Sequence, residues 1–290
     1  MDSCPDAKSR KFAKPIFSKR KNAPSKPTLP SRVSPQTKTN ALPCESTSLS
    51  FKWNDLMEKI DGAESFDQVC RIIEMNPIPQ FVMERKYYVT PRDRVCFVAE
   101  HHFPNNGPFN FLPIYTTGDG SCFAHALSHA VFGTQERHVE IRIRLIYEAV
   151  KNMDKYLDVN YLSLGTNNPQ KHEIAKRYAL YSGDRSVVSV RLTEANIRNI
   201  YKNDVMRICA TYGYMGIWQF HQAAEITKTP IGSVFPKGTN KNIRRDFNKM
   251  ILPENLSCHD KTPIYIMWSP ILETDKPSNV KHFVTLLQKR

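Results

Sequence analysis

Apolar residues recur every three or four positions in several stretches of this chain, the spacing that places them on one face of a helix. After Cys122 that face holds Phe123, Leu127, Ala130 and Val131, and Gly133 is a residue type that commonly ends helices. Further helices are predicted at about 134–150 with Thr134 as the cap, 169–180 with Asn168 as the cap, 193–212 with Thr193 as the cap, and 217–227. Arg142 and Arg144 are expected at the solvated edge of the 134–150 helix.

Other stretches have the continuous β-branched and aromatic character of strands. The clearest are 230–236, 264–268 and 282–287, and we expect the last two to pair with each other. Two shorter strands are predicted at 87–89 and 95–98, after helices built on Leu56 with Ile60 and on Val69 with Ile73. Because helices precede most strands, the pattern indicates an α+β fold with a small sheet covered by helices.

The first 50 residues differ in composition from the rest. They hold 10 Lys and Arg against 3 Asp and Glu, with 7 Pro and few large apolar side chains. Such a segment buries too little surface to offset the entropy of ordering, so 1–50 is predicted to be a disordered basic tail. Its basic clusters at 8–11 and 19–21 could contact nucleic acid, serve in nuclear import, or simply be solvated. We assign 51–110 to an accessory segment packed on a main domain at 111–290.

Cysteine usage and hydropathy narrow the class of protein further. The seven cysteines are odd in number and scattered, and no pair has the Cys-x-x-Cys spacing of a zinc ribbon. A reducing intracellular location, cytoplasmic or nuclear, is therefore expected. The chain has no run of about 18 apolar residues and no apolar segment near its start, so neither a membrane span nor a secretory signal is predicted.

The segment Gly118-Asp119-Gly120-Ser121-Cys122 carries the strongest chemical signal. A cysteine at a helix N-terminus lies near unpaired N–H groups, which favour the thiolate and so are expected to lower the thiol pKa. The same N–H groups can bind the oxyanion of an acyl-transfer intermediate, and the glycines let the backbone turn tightly. A cysteine that opens a helix is, however, more often structural, and the segment alone does not exclude that interpretation.

A nucleophilic cysteine needs a nearby base, usually histidine. Of the nine histidines, His282 begins the terminal strand, a rigid position from which to direct an imidazole. His125 and His129 lie on the Cys122 helix, and their side chains are not expected to reach back to its start. No metal-ligand spacing stands out, and no metal site or cofactor is predicted.

These residues resemble the motifs of the ovarian-tumour (OTU) cysteine peptidases. Asp119-Gly120-Ser121-Cys122-Phe123 looks like the nucleophile motif of that family, His282-Phe283 like its closing histidine-aromatic pair, and the likeness extends over about 112–288. The resemblance implies a papain-like OTU domain that acts as a deubiquitinase, with ubiquitin or a ubiquitin-like modifier as partner. It further implies Cys122 as nucleophile, His282 as base, and Asp119 as a residue that shapes the loop or orients His282.

The chain departs from the family pattern beside the predicted base. Many OTU enzymes place Asp or Asn two residues after the histidine, where this chain has Val284. The group that orients His282 could therefore be Asp119, Asn279, a backbone carbonyl, or none. Loss of an orienting group weakens such a triad without abolishing it. The alternative is a catalytically weak OTU-like domain that binds ubiquitin, with the basic tail as a nucleic-acid tether.

Overall fold

A computed structural model describes residues 51–165, 171–182, 190–239, 241–256, 261–276 and 280–290. The predicted disordered tail at 1–50 lies outside the described residues, as do Asn168, Pro169 and Asn279. All described residues belong to one compact unit, Leu49–Arg290. No helix among them is long and apolar enough to cross a membrane.

The described residues form ten α-helices and five strands. The helices are α1 (Trp53–Asp61), α2 (Phe66–Met75), α3 (Phe97–His101), α4 (Cys122–Phe132), α5 (His138–Lys151), α6 (Val159–Leu162), α7 (Ile174–Tyr181), α8 (Glu194–Cys209), α9 (Ile217–Thr227) and α10 (Lys241–Phe247). Single 3-10 turns occur at Lys155–Leu157 and Lys171–Glu173. The strands are β1 (Phe111–Ile114), β2 (Ile231–Val234), β3 (Lys249–Ile251), β4 (Ile264–Ser269) and β5 (His282–Gln288).

The sheet is small and mixed, with the order β1-β5-β4-β2-β3. Strands β2 and β4 are parallel, and the other neighbours are antiparallel. The predicted pairing of β4 with β5 is confirmed, with Trp268 opposite Phe283 and Ser269 opposite His282. The α+β fold, with a small mixed sheet covered by helices, is therefore confirmed.

Aromatic packing fixes α4 against the centre of this sheet. Phe123, the second residue of α4, contacts Phe283 of β5 edge-on with ring centroids 5.2 Å apart. Phe283 also packs on Trp268 of β4 at 4.5 Å, and Phe220 of α9 stacks on the same indole at 5.3 Å. Because offset and edge-on aromatic pairs are favourable and the side chains are buried, this cluster joins the start of α4 to the start of β5.

Side chains alternate along β5, so its opposite face meets a different set of residues. Val284 and Leu286 lie with Met267, Cys96 and Ala99 in a second apolar cluster. Cys96 and Ala99 come from the start and middle of α3, so this short helix covers the face of the sheet that α4 does not. The sheet is thus covered by helices on both faces.

The segment at 51–110 contributes to the same core as the rest of the unit. Ile60, Val69 and Ile73 of α1 and α2 belong to the main apolar cluster. The strands predicted at 87–89 and 95–98 are wrong: each forms only one isolated bridge, and Phe97–His101 is helical. Tyr87, Tyr88 and Phe97 are exposed, and Cys96 and Val98 pack in the second apolar cluster. Apolar residues in such a short run do not distinguish a strand from these arrangements.

A buried polar network ties this segment to α4. Asp93 accepts hydrogen bonds from Lys86 Nζ at 2.7 Å and contacts His129 Nε2 at 2.9 Å. Burial alone would raise the pKa of Asp93, but hydrogen bonds from Lys86 and Thr90 outweigh it and lower that pKa. The network therefore holds a charged carboxylate against His129 of α4.

Candidate active site

The nucleophile predicted at Cys122 lies where the sequence places it, at the first residue of α4. The turn before it depends on Gly120, whose φ of 94° is in the left-handed region that favours glycine. A Cβ at this position would also collide with the backbone carbonyl of Tyr212. Gly120 thus lets the loop enter α4 directly against the 211–213 turn, which directs Cys122 toward β5.

Asp119 shapes this loop through its first carboxylate oxygen. Its Oδ1 accepts a hydrogen bond from the Ser121 backbone N–H at 2.8 Å. Ser121 Oγ then donates to the Thr211 carbonyl at 3.0 Å. Both bonds hold the residue before the nucleophile, so the first of the two roles predicted for Asp119 matches its contacts.

Arg142 anchors the same loop, and its position differs from the one predicted from the sequence. Its side chain is 1% exposed, rather than at a solvated edge, and Arg144 is buried as well. The guanidinium donates to Ser121 Oγ at 2.9 Å and to the carbonyls of Ile208 and Gly213 at 2.8 and 3.1 Å. Burial lowers its pKa to about 10, which leaves it charged at neutral pH. One buried cation therefore joins the nucleophile loop to the end of α8.

His282 and Cys122 line the same cavity of about 690 Å³. Its ring packs near Gly118, where a Cβ would be 3.7 Å from His282 Cε1. A backbone hydrogen bond from the ring to Thr116 favours the protonated form of the imidazole. Of the orienting groups left open by the sequence, the structure thus supplies a backbone carbonyl, that of Thr116.

The contacts of Asp119 do not match its second predicted role, which is the direct orientation of His282. Its other oxygen, Oδ2, lies 3.0 Å from His125 Nε2. Asp119 reaches His282 only as a nearby charge that raises the pKa of that histidine, and it is the smallest of the influences on it. His125 reaches back to the loop before α4, contrary to prediction, because Asp119 turns toward the helix flank.

The prediction that the helix N-terminus lowers the thiol pKa of Cys122 is wrong, because that pKa is raised. Burial raises the pKa of Cys122 to about 11, and the nearby Asp119 carboxylate raises it further. Hydrogen bonds from the backbone of Phe283 and Phe123 act the other way without cancelling the cost of burial. The free chain therefore holds a neutral thiol at neutral pH, with its sulfur against the N–H of the residue that follows His282.

The histidine is neutral under the same conditions. Burial lowers the pKa of His282, and the nearby His125 lowers it further, while Thr116 and Asp119 act in the opposite direction. A neutral imidazole that lines the same cavity as a neutral thiol can act as a general base, and the two do not form a preformed ion pair.

Val284 is on the same face of β5 as His282, so strand alternation predicts that it lines the edge of the site. That prediction is wrong, because Val284 is not among the residues that line the cavity. It is 0% exposed, beneath α3 in the second apolar cluster.

We therefore expect Val284→Asn to lower the free energy of unfolding by about 1–3 kcal/mol, because a buried amide lacks partners there. Urea unfolding measures this, with the exposed Val82→Asn as control. A stable Val284→Asn with raised turnover would contradict this placement.

Several residues of the site gave no readable signal in the sequence. Thr116 acts through its backbone, which any residue could supply, and Arg142 acts through a buried side chain on a helix that looks amphipathic. Asp119, His125 and His138 form a cluster of possible metal ligands, each offering an atom within 4.8 Å of the others. Their spacing matches no known zinc pattern because one ligand comes from the loop and two come from different helices.

Part of the chain is similar to known proteins. A family model described as "Vertnin, OTU domain" matches residues 113–269. The chain is 29% identical to Vertnin of Mus musculus and 28% identical to Vertnin of Bos taurus, each over 172 residues and 59% of this chain. Those residues span 22% and 25% of the two relatives, so the chain corresponds to a quarter or less of their length.

Two solved structures are similar at lower identity. The OTU domain of OTUD1 is 12% identical with a TM-score of 0.33, covering 62% of this chain and 87% of that one. The viral OTU domain protease from Farallon virus is 14% identical with a TM-score of 0.34, covering 61% and 84%. Both scores are too low to add to the assignment, which rests on the family model. Since that model matches more than half of the 290 residues, the chain belongs to the OTU-domain family of Vertnin.

Proposed function

We propose that this chain is a thiol-dependent isopeptidase that removes ubiquitin, or a ubiquitin-like modifier, from protein conjugates. Membership of an OTU-domain family supports the proposal, because the resemblance implies that substrate class. The observation that carries it is the meeting of Cys122 and His282 in one cavity, with the Phe283 backbone hydrogen-bonded to the Cys122 sulfur. A reducing intracellular compartment, cytoplasmic or nuclear, suits a free nucleophilic thiol.

In this mechanism the Cys122 sulfur attacks the carbonyl carbon of the last residue of the modifier. His282 accepts the thiol proton as the carbon–sulfur bond forms. Backbone N–H groups of the 119–122 loop stabilise the oxyanion, apart from the N–H of Ser121, which already donates to Asp119 Oδ1. When the tetrahedral intermediate collapses, His282 gives that proton to the leaving lysine amine, and a thioester remains. Water, deprotonated by His282, then hydrolyses the thioester and restores the thiol.

The cavity has walls suited to an extended peptide tail. Gly118 lines the cavity beside His282, and its lack of a side chain leaves room there for a substrate backbone. Phe97, Tyr115 and Ile271 line it farther out and are exposed, so apolar substrate side chains have contacts there. A glycine at the reaction centre and apolar walls outside it fit a modifier whose C-terminal segment enters as a narrow strand.

A second function is favoured by one observation. Burial raises the pKa of Cys122 to about 11, so the thiolate is scarce at neutral pH, as expected of a catalytically weak domain. In that case the chain would bind ubiquitin without efficient cleavage, and the basic tail at 1–50 would contact nucleic acid.

Two measurements on the same preparation distinguish the two functions. Hydrolysis of ubiquitin carrying a C-terminal fluorophore measures turnover, and titration calorimetry with ubiquitin measures binding. Turnover supports the isopeptidase, and binding without turnover supports the binding domain. A parallel set of ubiquitin-like modifiers bearing the same fluorophore identifies the substrate. Both functions would be contradicted if the chain showed no turnover and no binding with any of these modifiers.

A further inference from the structure

Two histidines beside the nucleophile loop share one hydrogen-bond acceptor. His125 of α4 and His138 of α5 stack with ring centroids 3.9 Å apart. Nδ1 of each ring lies 3.1 Å from the same oxygen, the Gln135 carbonyl. A carbonyl oxygen only accepts hydrogen bonds, so both Nδ1 atoms carry the proton. In the neutral form of each ring, Nε2 therefore has a free lone pair.

The lone pair of His125 faces a carboxylate. Asp119 Oδ2 lies 3.0 Å from His125 Nε2, and two electron-rich atoms at that distance need a positive ion between or beside them. For Asp119 and His125 alone, a proton can be that positive ion. His138 makes a metal ion a better match, because it offers a third ligand atom within 4.8 Å of those of the other two.

We propose that Asp119, His125 and His138 form a binding site for a divalent transition-metal ion, with zinc as the best match. The ligands would be Asp119 Oδ2 and Nε2 of the two histidines. Zinc bonds to nitrogen and carboxylate oxygen are about 2.0–2.2 Å, which places tetrahedral ligand atoms about 3.3 Å apart. Asp119 Oδ2 and His125 Nε2 are already 3.0 Å apart, whereas the His138 ligand atom lies within 4.8 Å of both. Binding would therefore require the His138 ring to move closer and to tilt out of its stacked arrangement with His125.

The surroundings of the cluster fit such a site. Metal-binding histidines usually donate their other ring N–H to a carbonyl or carboxylate, the part that Gln135 plays for both rings. The side chain of Asp119 is 32% exposed, so an ion can enter and keep a water ligand, whereas His125 is buried and held in place. Two nitrogens and one oxygen with an open position are a donor set that zinc accepts.

Metal binding would act on the nucleophile loop. Asp119 Oδ1 holds the Ser121 N–H while Oδ2 would hold the ion, so the ion would link the loop to the first turns of α4 and α5. This inference does not rest on the isopeptidase activity, since it concerns binding and stability of the chain itself.

Titration of zinc chloride alone into the chelator-treated full chain tests the site. We expect one ion per chain and a higher melting temperature with zinc. His138→Gln should weaken binding by tenfold or more, and Asp119→Asn should do the same while its amide oxygen still accepts from Ser121 N–H. The exposed His172→Gln should bind like wild type. Melting curves without metal show whether each variant is folded, so that lost binding is not lost structure.

Cobalt(II) supplies an independent readout of the ligands. We expect visible d–d bands from nitrogen and oxygen ligands, without the near-ultraviolet thiolate-to-cobalt band, and their loss in His138→Gln. Three results would overturn the proposal: no binding by wild type, equal binding by folded His138→Gln and Asp119→Asn, or a thiolate band that disappears in Cys122→Ala.

Discussion

Replacing His282 with alanine is expected to lower kcat for ubiquitin hydrolysis by about 10²–10⁴-fold while ubiquitin affinity stays nearly unchanged. The imidazole lines the same cavity as Cys122, and its contribution is to proton transfer rather than to substrate contact. Because burial raises the pKa of Cys122 to about 11, little thiolate forms without a base, so the loss should be near the upper end of that range. Steady-state kinetics with fluorogenic ubiquitin measures kcat, and calorimetry measures affinity.

The pH profile of the wild-type chain adds a direct check on the same residue. Burial lowers the pKa of His282, and a protonated imidazole cannot accept the thiol proton. The acidic limb of kcat/KM should therefore fall with decreasing pH at a midpoint below the ordinary histidine pKa of about 6.5. His172→Ala, an exposed histidine outside the cavity, serves as control. Unchanged turnover in His282→Ala would remove this residue from the mechanism.

Replacing Arg142 with alanine should cause the largest loss of stability. Each buried acceptor that loses its donor costs about 1–3 kcal/mol, and this guanidinium serves several carbonyls and Ser121 Oγ. We expect the free energy of unfolding to fall by roughly 3 kcal/mol or more, measured by urea unfolding. Turnover should also fall at temperatures where the variant is folded, because Arg142 holds the residue before Cys122.

Two further variants show whether the geometry of the guanidinium matters. Arg142→Lys keeps the charge but cannot donate as a planar fork, so it should recover only part of the stability. Arg198→Ala removes an arginine whose partner, Asp154, is exposed, and should change stability by less than about 1 kcal/mol. An Arg142→Ala variant as stable as Arg198→Ala would show that water replaces the guanidinium without cost.

Helices whose start, end and apolar face are marked by neighbouring residues were predictable from the sequence. Helix α9 has the predicted bounds at 217–227, α4 ends at Gly133 with φ of 73°, and Thr193 caps α8 by accepting from Asn196 N–H. Each signal is local, since it depends on residues within one or two turns. Helix α5 begins later than predicted because Thr134 accepts from Glu136 N–H in the preceding turn instead of capping α5.

What could not be predicted depends on long-range burial. Arg142 looks solvated on α5 until the end of α8 covers it with backbone carbonyls. The thiol pKa of Cys122 was predicted to fall because the helix N-terminus is visible in sequence, whereas the cost of its burial is not. His138 gives no metal signal in sequence because its partners are 13 and 19 residues away along the chain, on α4 and its preceding loop.

Covalent capture by ubiquitin bearing a C-terminal electrophile tests the central claim most directly. The seven cysteines compete for the probe, and peptide mapping by mass spectrometry identifies which one reacts. Wild type should form one adduct, on Cys122, and Cys122→Ala should form none although its melting curve shows a folded chain. His282→Ala should react far more slowly at the same position. An adduct that persists in Cys122→Ala, or maps to Cys70 or another cysteine in wild type, would contradict the assignment of Cys122 as the nucleophile.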